Sequence, residues 1–227
     1  HDCLEWACTR GFRALVDDPA PLRDTVARRC QVRGWDALID PITDWLLRVI
    51  DTPLPLPGVQ PGETCRLSDI KAGSAELEFT LGVRTVDIGL IDRLISEHTL
   101  DALPRPAIAG GRLNGMLKGF IDLVFVHNDR YYLADYKSNA LGDSDADYTH
   151  EAMREAILTG RYDLQYSLYL LALHRLLSVR LPDYDYDRHV GGALSIFLRG
   201  IDTPTAGVHS ERPPRAMIEA LDREFQP

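Results

Sequence analysis

Apolar residues recur at helical spacing through the first fifty positions. Leu4, Cys8, Gly11 and Leu15 share one stripe, and Leu22, Val26 and Cys30 a second that stops at Gly34. Asp40-Pro41 reads as a helix N-cap followed by proline at the first helical position, with Ile42, Trp45, Leu46 and Val49 as the buried face. Residues 52–62 (TPLPLPGVQPG) hold four prolines and two glycines and predict a loop. Beyond it the period changes. Leu77, Phe79 and Leu81 alternate with Glu76, Glu78 and Thr80, as in a half-buried strand, and Asp87 to Glu97 returns to a helix carrying Ile88, Ile91, Leu94 and Ile95.

Phe120 to Val126 is an apolar run of β-forming residues interrupted by Asp122. His127 to Arg130 reads as a turn and Tyr131 to Lys137 as a second strand, so the two make a hairpin. Helices over 148–158 and 164–177, a strand over 190–198 and a closing helix over 213–225 complete the pattern. This order predicts an α/β fold: a mixed β-sheet flanked by helices.

With 227 residues, 45% hydrophobic and 26% charged, the chain has enough material for one core and the composition of a globular domain. No apolar run is long enough to span a membrane, so a membrane is not expected as a partner. The sequence begins at His1 without an initiator Met or a basic leader, which suggests a piece of a longer protein. Cys3, Cys8, Cys30 and Cys65 form no CxxC pair, so reduced cysteines are expected rather than a zinc site or disulfide framework. The net charge of −9 argues against a purely electrostatic nucleic-acid binder. Its distribution softens that conclusion. Between Leu103 and Leu141 five basic residues face three acids, and two of those acids, Asp122 and Asp135, interrupt strands.

A carboxylate inside an apolar strand is costly unless something compensates it. A turn centred between Asn128 and Asp129 places Asp122 and Asp135 equidistant from it, hence opposite each other on one face. Their repulsion would be reversed by a divalent cation. Lys137, two residues after Asp135, projects to the same side. Two carboxylates beside a lysine suit Mg²⁺ or Mn²⁺ and phosphodiester hydrolysis. The plainer alternative is a surface Asp135–Lys137 ion pair with Asp122 satisfied by a backbone amide.

Three strings in order carry a resemblance. Gly115-Met116-Leu117-Lys118-Gly119-Phe120-Ile121-Asp122-Leu123-Val124-Phe125 comes first, then Asp135-Tyr136-Lys137-Ser138-Asn139, then Tyr162-Asp163-Leu164-Gln165-Tyr166 with Tyr169. Together they resemble the nuclease domain of RecB subunits (exodeoxyribonuclease V), of the PD-(D/E)xK, restriction-endonuclease-like superfamily. Similarity continues through Asp183-Tyr184-Asp185-Tyr186 and Phe197-Leu198-Arg199-Gly200. The resemblance implies one nuclease domain over 1–227, with a helical part over 1–51, the Pro-rich loop over 52–62 and a catalytic core over 63–227. It also implies that this is the C-terminal piece of a longer helicase-nuclease.

It further implies a Mg²⁺-dependent DNase, with Mn²⁺ or Ca²⁺ able to substitute in the site. The cation would be held by Asp122, Asp135, the main-chain carbonyl of Tyr136 and His1, which Glu5 follows as in the family's helical motif. Lys137 would be the catalytic lysine. Glu78 resembles the family's acidic strand residue, while Gln165 and Tyr169, one helical turn apart, would support the site. Lys118, Arg112 and Arg161 are candidate DNA contacts. Implied partners are DNA, RecC and RecD, with RecA as a further one, in a bacterial cytoplasm acting in double-strand-break repair. No GxxxxGK[ST] motif occurs, so no ATP site is expected, and without a cysteine after Cys65 no iron–sulfur cluster is expected. Two other readings are a free-standing Cas4-like nuclease and an inactive DNA- or RecA-docking module.

Overall fold

The computed structural model describes residues 1–57 and 62–225. Four helices come first: α1 (Asp2–Arg10), α2 (Phe12–Asp17), α3 (Ala20–Gln31) and α4 (Ile39–Asp51). The first apolar stripe is split at Gly11, whose φ of 85° breaks the helix between α1 and α2. The Asp40-Pro41 cap is corrected. A 3₁₀ turn over Asp36–Leu38 leads into α4, Leu38 occupies the N-cap, and the Asp40 carboxylate instead accepts from Arg23 Nε at 2.7 Å.

The Pro-rich segment is not all loop. β1 (Leu54–Pro55) pairs with β2 (Thr64–Cys65), while 58–61 lie outside the described residues. Next come β3 (Gly73–Asp87), α5 (Ile88–His98), β4 (Arg112–His127) and β5 (Arg130–Lys137). Then follow α6 (His150–Gly160), α7 (Tyr162–Arg180), α8 (Tyr186–His189), β6 (Val190–Phe197), β7 (Val208–Glu211) and α9 (Arg215–Glu224). Asp87 caps α5 by accepting from the Gly89 and Leu90 amides. α8 and β7 were not anticipated, because four-residue elements carry too few periodic positions to register.

The sheet order is β3-β4-β5-β6-β7, with β5–β6 parallel and the other neighbours antiparallel. This is the mixed α/β architecture of the restriction-endonuclease-like class. One apolar cluster joins α1–α4 to Leu123, Phe125, Tyr132, Ala134 and Tyr136. A second joins α5, α6, α7 and α9 to Val124, Leu133, Ala193 and Phe197. The sheet is therefore covered on both sides, and β5 is buried from Tyr132 to its end. Any polar residue near the end of β5 must be satisfied by its neighbours.

Candidate active site

The β4–β5 ladder runs from His127↔Arg130 to Leu123↔Ala134, the register expected from the Asn128-Asp129 turn. Asp122 and Asp135 come next on the two strands, just outside the paired register. There the pairing stops, because Asp122 Oδ2 accepts the Tyr136 main-chain N–H at 2.7 Å. Beyond this point β4 changes face: Leu123 packs with the N-terminal helices, whereas Ile121 packs with the α7 side. β3 changes face at the same place. Ala75 pairs with Leu123 and Leu77 with Ile121, leaving Glu76, at φ 49°, across from Asp122.

Asp135 and Lys137 keep only 6% and 7% of their surface, and Lys137 Nζ contacts Asp135 Oδ2. Both contacts of the plainer reading are thus present, but the pair is buried rather than superficial. Lys137 Nζ also donates to Gln165 Oε1 at 2.6 Å and stands 3.7 Å from the Tyr162 ring centroid. Gln165 Nε2 donates to Asp135 Oδ1 at 3.1 Å and to Tyr169 Oη at 2.8 Å. The four-residue spacing puts Gln165 and Tyr169 on the face of α7 that meets β5. Tyr169 in turn packs edge-on to Phe79, with ring centroids 5.5 Å apart. A side chain on Gly119, the β3-partner of Phe79, would enter that ring: a Cβ there lies 2.5 Å from Phe79 Cζ.

Burial pushes the carboxyl of Asp122 above the ordinary carboxylate range, against the Tyr136 hydrogen bond and the charge of Lys137. Burial raises Asp135 as well, opposed by Lys137 and reinforced by Asp122. Burial raises Tyr169, against the Gln165 hydrogen bond and with the added charge of Asp135, Asp122 and Glu76. Glu76 is raised by desolvation and by Asp122. The acidic strand residue in the field of Asp122 is therefore Glu76. Glu78, the expected one, is exposed and 3.0 Å from Lys118 Nζ. Period-two alternation points Glu76 and Glu78 the same way and cannot choose between them; only the β3–β4 register does, across an intervening helix.

His1 joins the site: its Nδ1 is 3.6 Å from Asp122 Oδ2 and its ring stands edge-on to Tyr136 at 6.0 Å. Arg161 does not. Its guanidinium lies 2.6 Å from Asp92 and 3.0 Å from Asp163, and only 12% of its side chain is exposed, so it is bound up within the fold. Sequence reasoning also missed Arg105, which meets the fully buried Asp163 at 2.9 Å. Lys118 and Arg112 are exposed on β4, and Arg112 pairs with Asp87 at the strand's far end.

Among the described residues no three His, Cys, Asp or Glu side chains converge as a ready metal cage. Mg²⁺, however, is ordinarily held by one or two carboxylates while keeping waters and substrate phosphate. The donor set fits such a cation: two carboxylates at the end of the ladder, with Asp135 Oδ2 buried and lacking an aligned hydrogen bond, and His1 beside Asp122.

A mixed sheet between helical layers, with two acids and a D-x-K lysine where two strands part, defines a protein of the restriction-endonuclease-like class. No family model matches the chain. Its sequence is 41% identical over 206 residues to RecBCD enzyme subunit RecB of Escherichia coli, a match covering 88% of this chain and 17% of that protein. The RecB subunit of Haemophilus influenzae is 38% identical over 193 residues (84% and 15%), and that of Mycobacterium tuberculosis 36% over 203 residues (78% and 18%). The chain is a RecB nuclease-domain-like protein, and it spans about a sixth of the length of these relatives. No helix among the described residues is long and apolar enough to cross a membrane.

Proposed function

We propose that the chain is a Mg²⁺-dependent DNA nuclease domain of a RecB-type helicase-nuclease acting in double-strand-break repair. The observation that carries this reading is the grouping at the end of the β4–β5 ladder, where Asp122 accepts the Tyr136 amide and the buried Asp135 is in contact with Lys137. Asp122, Asp135 and the Tyr136 carbonyl would hold the cation, with His1 at its edge and Glu76 near its waters. When bound, Mg²⁺ supplies polarisation of the phosphate and a lowered pKa for water.

The chain's own groups supply the rest. Lys137, an ammonium held by Gln165 and Tyr162, orients the attacking water and balances charge developing on phosphate oxygens. Gln165 spans Asp135 and Lys137 and so fixes acid and lysine relative to each other. Tyr169 locks the other side of Gln165. Similarity to subunits of the RecBCD enzyme supports RecC and RecD as partners, DNA as substrate and the bacterial cytoplasm as location; RecA as a further partner rests on the family resemblance alone.

The test is a DNase assay on the purified chain with Mg²⁺ and with chelator. Cleavage is expected with Mg²⁺, abolished by chelator and by Asp135→Ala at unchanged folding. Cleavage by the folded Asp135→Ala variant would overturn the assignment.

A further inference from the structure

β5 and β6 run parallel, so their carboxyl ends lie side by side: Lys137 pairs with Phe197, the last residue of each strand. The strings Asp135-Tyr136-Lys137-Ser138-Asn139 and Phe197-Leu198-Arg199-Gly200 therefore finish at one place. Burial ends abruptly there. Ser138 and Asn139, which follow the buried Lys137, are exposed, and so is Arg199, in a 3₁₀ turn over Leu198–Gly200. Arg199 Nε donates to the Ser138 carbonyl at 3.2 Å. Asn139 is fixed beside it: its amide donates to Tyr162 Oη at 3.1 Å, and its carbonyl accepts from Tyr148 Oη at 3.3 Å. Tyr162 is the ring that stands against Lys137 Nζ, so this exposed rim is tied to the lysine from both sides.

The bond to Ser138 uses one N–H of a guanidinium that carries five. Among the described residues no carboxylate lies within ion-pair distance of Arg199, so its charge is unspent. The basic residues that the sequence offers as DNA contacts differ. Lys118 meets Glu78, Arg161 is taken up by Asp92 and Asp163, and Arg112 stands at the far end of β4. Neighbouring strands lie about 5 Å apart. The order β4-β5-β6 therefore sets Asp122, then Asp135 with Lys137, then Arg199 at successive strand ends. A backbone crossing those ends meets the acids first and the guanidinium one strand later. Arginine grips phosphate oxygens with its planar fork and positions a nucleic acid without reading its bases. We infer that Arg199 binds a DNA backbone phosphate flanking the scissile one and so fixes the backbone across the ends of β4, β5 and β6. This rests on the nuclease reading above and adds to it a substrate contact.

The experiment follows binding of a labelled oligothymidylate by fluorescence anisotropy over a range of salt concentrations, on the full chain in chelator so that nothing is cleaved. Arg199→Gln, whose amide can still donate to Ser138, should bind about three- to fivefold more weakly at low salt, the scale of one exposed ion pair. Its plot of log affinity against log salt should be shallower by about 0.7, the share of one phosphate contact on a single strand. Arg199→Lys keeps the charge and should keep the slope. With Mg²⁺ present, Arg199→Gln should raise KM by the same factor and leave kcat within about twofold, because a flanking contact is made equally before and during reaction. A merely structural arginine, bracing the end of β5, would instead lower kcat or the melting temperature and leave the salt slope alone. Either of those results, or failure of the unaltered chain to bind the oligonucleotide, would overturn the assignment. Because the binding readout needs neither cation nor cleavage, its failure is distinct from that of the nuclease reading, which Asp135→Ala judges.

Discussion

The Asp122 carboxylate ends a β-ladder: its Oδ2 accepts the main-chain N–H of Tyr136 at 2.7 Å, one step beyond the last paired residues, Leu123 and Ala134. One oxygen thus stands in for a strand's carbonyl, and β4 and β5 part where the second carboxylate begins.

This relationship separates two substitutions. Asparagine at 122 can still accept the Tyr136 amide, whereas alanine leaves that buried donor unpaired at a cost of about 1–3 kcal/mol. Since burial raises the Asp122 pKa, the folded state holds this proton to higher pH than the unfolded chain does. Its contribution to stability is therefore whole below the unfolded carboxylate pKa and is lost as pH rises through the folded one. In chelator, the melting temperature of Asp122→Asn relative to the unaltered chain should rise as pH increases through and above the ordinary carboxylate range. Asp122→Ala should melt lower than Asp122→Asn throughout.

A divalent cation should reverse that penalty. At neutral pH, Mn²⁺ at about 100 times its dissociation constant should stabilise the chain by about 2.7 kcal/mol, read by denaturant unfolding. Asp135→Ala should cancel the gain, and because both carboxyls must ionise to bind, the gain should shrink as pH falls through their raised pKa values.

Gln165 touches Lys137, Asp135 and Tyr169 at once. Gln165→Ala should lower the rate of DNA cleavage up to about 10²-fold, the scale of a misplaced catalytic group, with little change in melting temperature. Tyr169→Phe, which removes only a hydrogen bond to Gln165, should lower it less.

Asp163 is fully buried between Arg105 and Arg161, both largely hidden side chains. Asp163→Ala strands the Arg105 guanidinium and should cost about 3–5 kcal/mol in urea unfolding. Asp163→Asn should cost less, because its amide oxygen still accepts from Arg105.

Much of this protein is written along the chain itself. The Asn128-Asp129 turn sets the hairpin register from His127↔Arg130 to Leu123↔Ala134, and so brings Asp122 and Asp135 to the end of the paired strands. The D-x-K spacing carries Lys137 to the side of Asp135, and four-residue spacing joins Gln165 to Tyr169. What tertiary structure alone decided lies between elements distant in sequence. Glu76 rather than Glu78 stands across from Asp122 because β3 and β4 change face together at that position, an irregularity no periodic pattern announces. Arg161 is consumed by Asp92 and Asp163, since only packing brings α5 to the start of α7. Local pattern dictates the direction of a side chain from its own backbone, whereas its partner depends on which other segments the folded core brings within a few ångströms.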